Sequence, residues 1–173
     1  PHEVRPNARY GTGLYRRRIR LVRAELHVDA ALEDDCHGFT LRLTHDGRCV
    51  TAVTGAALRV PLTSCAGAID PLQALIGTPL DTPVESLLAS IPPRRNCTHW
   101  YDLARLALAH ASQAESVRVY DVEVVDQVDA DSPARAEVFL NGVSVHRWQV
   151  ARMTIASILA QARQAGFTIE PTA

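Results

Sequence analysis

The stretch from Ile91 to Ala111 constrains the fold more than any other part of the chain. Two prolines at its start end the preceding element, because Pro93 has no N–H and biases Pro92 away from the α region. Asn96 is a good N-cap, and the alanine- and leucine-rich sequence after it predicts a long helix over residues 97–114. The first turn of such a helix offers unpaired backbone N–H groups, which favour a thiolate or another anion.

Two cysteines are predicted to lie at helix starts. Cys97 and His99 fall in the first turn of the long helix, and Cys65 occupies a similar place in Thr63-Ser64-Cys65-Ala66-Gly67. A cysteine and a histidine at the start of a helix form a candidate site. They fit a metal site, a metal-free active site, or helix ends that only pack.

Hydrophobic periodicity predicts an α+β protein, with an antiparallel sheet and helices packed on one face. Alternating residues on both sides of His45-Asp46-Gly47 predict a hairpin, and Asn141-Gly142 predicts a second one. The predicted strands and helices are listed here: strands within residues 15–28, 39–43, 49–53, 117–125 and 138–150, and helices over residues 64–76, 82–91, 97–114 and 154–164.

Composition and charge restrict the class of protein. The chain has 173 residues and a net charge of −1, which suggests one domain over residues 15–173 after a flexible arm over residues 1–14. A near-neutral balance argues against nucleic-acid binding, since phosphates need a concentrated basic surface. The one basic cluster, Arg16 to Arg20, is interpreted as a solvated strand edge or an anion-binding strip.

No apolar run is long enough to cross a membrane, and no signal peptide is recognised, so a cytoplasmic protein is expected.

Four residues form the constellation from which chemistry is expected: His37, Cys65, Cys97 and His99. Two thiolates and two imidazoles suit a tetrahedral zinc ion, but the spacing is that of neither a zinc finger nor a zinc ribbon. Asp35 follows a strand and lies two residues from His37, where a carboxylate can fix the tautomer of an imidazole. Joint ligation by Cys97 and His99 is strained, because residues two apart on a helix point in different directions. A metal-free pocket is therefore favoured.

Several segments resemble the bacterial family known as domain of unknown function 2889. The matching segments are Tyr15-Arg16-Arg17-Arg18-Ile19, Asp34-Asp35-Cys36-His37-Gly38-Phe39, Arg59-Val60-Pro61, Cys65-Ala66-Gly67-Ala68 and Asn96-Cys97-Thr98-His99-Trp100-Tyr101-Asp102-Leu103. The resemblance implies a role in the catabolism of aromatic compounds by Gram-negative bacteria. One activity that it implies is the elimination of formaldehyde from lignin-derived aromatic dimers.

The order of elements also resembles the iron–sulfur scaffold proteins of the NifU and IscU type. In that family three strands lead to a cysteine at a helix start, and a proline-containing motif before another cysteine opens a long helix. Cys65 and Cys97 stand at these two places here, while the Cys-Gly-Asp motif and the chaperone-binding lysine of the family are absent. The resemblance implies a NifU/IscU-like core, to which this chain adds a C-terminal hairpin and helix.

The leading interpretation is a small lyase that acts on an aromatic molecule without a cofactor. His37, oriented by Asp35, is the candidate base, and His99 with the helix starts at Cys65 and Cys97 is expected to stabilise a developing anion. Arg59 and Trp100 are the candidate substrate-binding residues.

Two further interpretations stay open. The first is a metal or iron–sulfur carrier that holds zinc or iron through His37, Cys65, Cys97 and His99. The second is an accessory protein that binds a partner through its extra hairpin and final helix. A homodimer is also left open.

Overall fold

A seven-stranded antiparallel sheet forms the framework of the structure, a computed structural model that describes residues 12–65, 67–87, 91–127, 129 and 132–150. The strand order is β4-β3-β2-β1-β5-β6-β7. The strands are β1 (Leu14–Arg23), β2 (His27–Asp34), β3 (Gly38–His45), β4 (Val50–Arg59), β5 (Val117–Val125), β6 (Ala134–Leu140) and β7 (Val143–Val150). The first strand therefore begins at Leu14, the last residue of the predicted arm.

Alternation gives β1 to β3 one buried face and one exposed face. Buried residues such as Ile19, Leu21 and Leu32 lie on the inner face and form the core. The outer face carries ion pairs, among them Arg18 with Asp121 at 2.6 Å. The expected α+β class with an antiparallel sheet is confirmed.

One α-helix, α1 (Thr98–Ala111), packs over the inner face of β1, β2 and β3. Its buried side chains follow helical spacing and include Trp100, Leu103, Ala104, Ala107 and Leu108. The helix was expected at this place, but the predicted N-cap is wrong. Cys97 is the N-cap, with extended backbone angles, because the Asn96 side chain donates instead to the carbonyl of Pro92 at 2.8 Å.

The segment after β4 is helical, but it is not the α-helix predicted over residues 64–76. It forms two 3-10 helices, Thr63–Cys65 and Gly67–Leu75. Pro71 lies inside the second one, and a proline there removes an α-helical hydrogen bond and clashes with the preceding turn. Leu72 and Leu75 nevertheless anchor the segment in the core. The helix predicted over residues 82–91 begins as a 3-10 turn, Val84–Ser86, and its residues 88–90 lie outside the described residues.

The two predicted hairpins are confirmed. Gly47 has a φ of 89° in the turn between β3 and β4, and Asn141 and Gly142 have φ values of 50° and 81° between β6 and β7. The predicted helix over residues 154–164 lies outside the described residues. Among the described residues, no helix is both long enough and apolar enough to cross a membrane.

Candidate functional site

The tight connection between β2 and β3 places a carboxylate against an imidazole. Asp34 ends β2 with its side chain 1% exposed. Its Oδ1 atom accepts hydrogen bonds from the backbone N–H of Cys36 at 2.9 Å and of His37 at 2.8 Å. The same oxygen lies 2.9 Å from Nδ1 of the His37 ring. Because an ionised carboxylate can only accept, Nδ1 carries a proton. Nε2 is then the ring nitrogen left for a bound molecule: it accepts in the neutral form of the ring and donates in the imidazolium form.

Strand β1 supplies a cation and a phenol to the same carboxylate. Arg17 lies directly opposite Asp34 in the β1–β2 register. The Oδ2 atom of Asp34 accepts from Arg17 Nε at 2.9 Å, from Arg17 Nη2 at 2.7 Å and from the Tyr15 hydroxyl at 2.9 Å. Burial acts to raise the pKa of Asp34, but the Cys36 amide, Arg17 and Tyr15 outweigh burial and hold this pKa well below its usual range. The carboxylate is therefore ionised at neutral pH.

The first turn of α1 brings a second imidazole onto His37. The centroids of the His37 and His99 rings are 3.9 Å apart at an interplanar angle of 32°, and Phe39 stacks on His99 at 5.4 Å. Nε2 of His99 lies 3.2 Å from Arg17 Nη2. Arginine only donates, so Nε2 accepts and Nδ1 carries the proton. That Nδ1 atom lies 3.8 Å from the sulfur of Cys97.

The two imidazoles differ in what they can do. Burial lowers the pKa of His99, and the neighbouring His37 and Arg17 lower it further, so His99 is neutral at pH 7. Both of its ring nitrogens face protein groups. His37 is 18% exposed at the side chain, and its Nε2 atom has no hydrogen-bond partner among the described residues. His37 is thus the ring that can exchange a proton with a bound molecule.

The prediction that Asp35 orients His37 is wrong, because the carboxylate on the His37 ring belongs to Asp34. Asp35 follows the last residue of β2 and is exposed. The alternation of β2 could have revealed this, since Asp34 has the same parity as the buried Leu32.

The two candidate cysteines have different surroundings. Both thiols are free and half-buried. Cys97 contacts His99, as described above. Cys65 ends a 3-10 turn rather than beginning an α-helix, and its carbonyl accepts from Trp100 Nε1 at 3.0 Å.

The two predicted substrate-binding residues have structural roles. Trp100 is fully buried and packs edge-on against Phe39 at 4.8 Å, so the prediction that it contacts substrate is wrong. Arg59 donates through Nη2 to the carbonyls of Asp34 at 2.5 Å and His37 at 3.3 Å. Arg59 therefore fastens the β2–β3 connection to β4.

Sequence reasoning missed Arg17, Tyr15 and Phe39. Arg17 was read as part of a basic cluster, although it alternates in phase with the buried Ile19 and Leu21. Period-two alternation was thus the signal that separated it from its neighbours Arg16 and Arg18.

Three side chains of the site are close enough to share a metal ion. Asp34, His37 and His99 each offer one possible ligand atom, and these three atoms all lie within 4.8 Å of one another. Among the described residues, they form the group of donor atoms close enough to hold a metal ion. Cys65 and Cys97 are not members of it. Two imidazoles and one carboxylate suit zinc or iron in their chemistry.

The hydrogen bonds around this donor group do not fit a bound cation. Each oxygen of Asp34 already accepts three hydrogen bonds, whereas a carboxylate offers about four lone-pair sites in all. The Arg17 guanidinium also lies 3.2 Å from Nε2 of His99, where it would repel a metal ion.

Comparisons with known proteins give no relative for this chain: no protein-family model, no curated protein and no solved structure matches it.

Proposed function

We propose that the protein is a small lyase that eliminates formaldehyde from an aromatic, lignin-derived type of molecule by acid–base chemistry. The observation that carries the proposal is the pairing of a buried, ionised Asp34 with His37, whose Nε2 atom has no hydrogen-bond partner among the described residues and is left for a ligand. A carboxylate behind an imidazole fixes the tautomer of the ring and stabilises the imidazolium that forms when the ring takes a proton.

The proposed reaction begins at a hydroxymethyl group of the substrate. Nε2 of His37 removes the proton of the hydroxyl, and the O–H electron pair forms the C=O bond of formaldehyde. The carbon–carbon bond then breaks, and its electron pair forms a carbon–carbon double bond as an oxygen substituent leaves the next carbon. The imidazolium of His37 returns its proton to that departing oxygen. Atoms and electrons balance without an oxidant or a reductant.

The residues around the dyad of Asp34 and His37 support this assignment. His99 is neutral and packs against His37 with the ring centroids 3.9 Å apart, so it occupies one side of the ring without adding a permanent positive charge. Arg59 fixes the backbone on both sides of the Asp34–His37 connection. Such preorganisation holds the base in one position during the reaction.

The test is formaldehyde release from dimeric aromatic compounds that carry a hydroxymethyl group. We expect turnover by the wild type and a loss of about 10²–10⁴-fold in His37→Gln, because a general base contributes about that factor. His27→Gln is the matched control, since His27 lies at the other end of β2 and pairs with Asp29. Near-normal turnover by folded His37→Gln would remove His37 from the mechanism.

A metal or iron–sulfur carrier with a NifU/IscU-like core is the second candidate function. The compact group of Asp34, His37 and His99 is the observation in its favour. Its donor set suits a single zinc or iron ion, because a cluster needs thiolates. The saturated carboxylate and the adjacent Arg17 argue against this function, as described above.

Metal analysis of protein purified without chelator separates the two functions. The lyase proposal predicts a metal content far below one ion per chain and formaldehyde release that is unchanged by a chelator. Stoichiometric zinc or iron that is lost in His37→Gln and His99→Gln, in a protein that releases no formaldehyde, would establish the carrier.

A further inference from the structure

We infer that Arg17 selects substrates that carry an anionic oxygen, a carboxylate or a phenolate, on the aromatic framework. The inference deepens the proposed function, on which it rests, by naming the chemical class of the substrate. It also assigns anion binding to an arginine other than Arg59.

The hydrogen-bond donors of Arg17 are only partly used by the protein. A guanidinium has five N–H donors. Nε and Nη2 of Arg17 serve Asp34 and His99 at 2.7 to 3.2 Å, whereas Nη1 has no hydrogen-bond partner among the described residues. The side chain is 23% exposed, so these two N–H groups can reach a ligand. Charge-assisted hydrogen bonds from arginine to an anionic oxygen are among the stronger polar contacts.

The other arginines near the site are engaged elsewhere. Arg59 donates to the carbonyls of Asp34 and His37 and pairs with Glu33 at 3.2 Å. Arg16 and Arg18 lie on the outer face of β1, where they pair with Glu123 and Asp121. Arg17 is thus the cation placed beside the base His37.

An apolar strip continues from Arg17 along the inner face of the sheet. Residues that oppose each other in an antiparallel sheet point to the same face. Arg17 opposes Val122, which opposes Val138, and this row ends at His146 in β7. In the next row Tyr15 opposes Val124, followed by Ala136 and Trp148. We define the apolar strip as Val122, Val124, Ala136, Val138 and Trp148.

A cation that adjoins an apolar surface matches one kind of ligand. Trp148 stacks on His146 with the ring centroids 5.3 Å apart and is still 38% exposed, and aromatic side chains favour contact with other rings. The strip is continuous with the Arg17 side chain in the register of the sheet. The occupant that fits both features is an aromatic ring system with one negative oxygen, bound with the oxygen at Arg17 and the rings along the strip.

Binding measured without turnover tests the inference. Dissociation constants are determined for benzoate, for its neutral analogue benzamide and for acetate, which lacks the ring. In a second arm, 4-nitrophenolate above its pKa replaces benzoate, which separates phenolate from carboxylate. We expect the wild type to bind at least one aromatic anion about tenfold or more tightly than benzamide and acetate.

The variants assign this preference to one residue. Arg17→Gln should abolish the preference of anion over benzamide, whereas Arg18→Gln on the outer face should retain it. A purely structural role of Arg17 would weaken benzoate and benzamide equally, which would overturn the inference. Equal affinities for anion and benzamide in the wild type would also overturn it, and this comparison needs no variant to fold.

If the preference is absent while His37→Gln still abolishes formaldehyde release, only the anion site fails. If the preference is present without formaldehyde release, only the proposed reaction fails.

Discussion

At the scale of the residue, Asp34 is the centre of the site. It receives an amide pair and an imidazole on one oxygen and an arginine and a phenol on the other. Burial alone would favour the protonated acid, but these donors outweigh burial and keep the pKa of Asp34 low. The orientation of His37 therefore depends on a charge that the protein itself stabilises.

Replacing Asp34 by Asn should destabilise the fold strongly. The substitution leaves Arg17 partly buried without its counter-charge, and removing one partner of a buried pair typically costs about 3–5 kcal/mol. Urea denaturation measures the loss. The matched control is Asp121→Asn, which removes the partner of the largely exposed Arg18 and should cost less than about 1 kcal/mol. Equal losses in the two variants would contradict the central role of Asp34.

The same carboxylate predicts the acid side of the stability curve. A group whose pKa is lower in the folded state stabilises the fold above its unfolded pKa, about 3.9, and this stabilisation is lost as the pH falls below that value. We expect the unfolding free energy of the wild type to fall on acidification through this range. In Asp34→Asn the fall should be smaller, and an unchanged acid profile would contradict the ionised state of Asp34.

At the scale of the element, the contact between α1 and β4 positions His99. Trp100 follows His99 in α1, and its ring lies over Gly55 of β4. A Cβ atom at Gly55 would clash with the backbone carbonyl of Thr40 in β3 and would lie 2.7 Å from the Trp100 ring, closer than side chains tolerate. The glycine is thus required both by the neighbouring strand and by the close approach of helix and sheet.

Gly55→Ala should therefore disturb the pairing of β3 with β4 and displace α1, and with it His99. Overpacking of this kind typically costs about 1–3 kcal/mol, and we expect reduced formaldehyde release together with a lower melting temperature. Gly67→Ala is the control, because a Cβ atom there meets nothing within 4 Å. A Gly55→Ala protein as stable and active as the wild type would show that the helix tolerates a shift.

Elements were predictable from the sequence where one local signal determined them. Asn141-Gly142 specified its hairpin, and the run after Cys97 specified α1. The 3-10 path around Pro71 was missed because apolar spacing alone indicated an α-helix. The pairing of Arg17 with Asp34 could not be predicted either, because it depends on the register of β1 against β2.

At the scale of the whole molecule, the arginines of β1 lie on opposite faces of the sheet and have different partners there. The cluster from Arg16 to Arg20 was interpreted as a solvated edge or an anion strip. Arg16 and Arg18 are paired with acids at the exposed face, whereas Arg17 turns inward to Asp34.

The site as a whole was only partly predictable. His37 and His99 were both candidates, but the contact between their rings depends on how α1 docks on the sheet.

The hydrogen bonds of the site span very different distances along the chain. Asp34 and His37 are three residues apart, whereas Arg17 and His99 are separated by 82. Short loops close at a small entropic cost and distant contacts close later. During folding, the dyad of Asp34 and His37 can therefore form with the β2–β3 hairpin, before α1 has docked. The neutral His99 and its arginine come together only when the chain from β1 to α1 has closed, so the complete site forms later than the dyad.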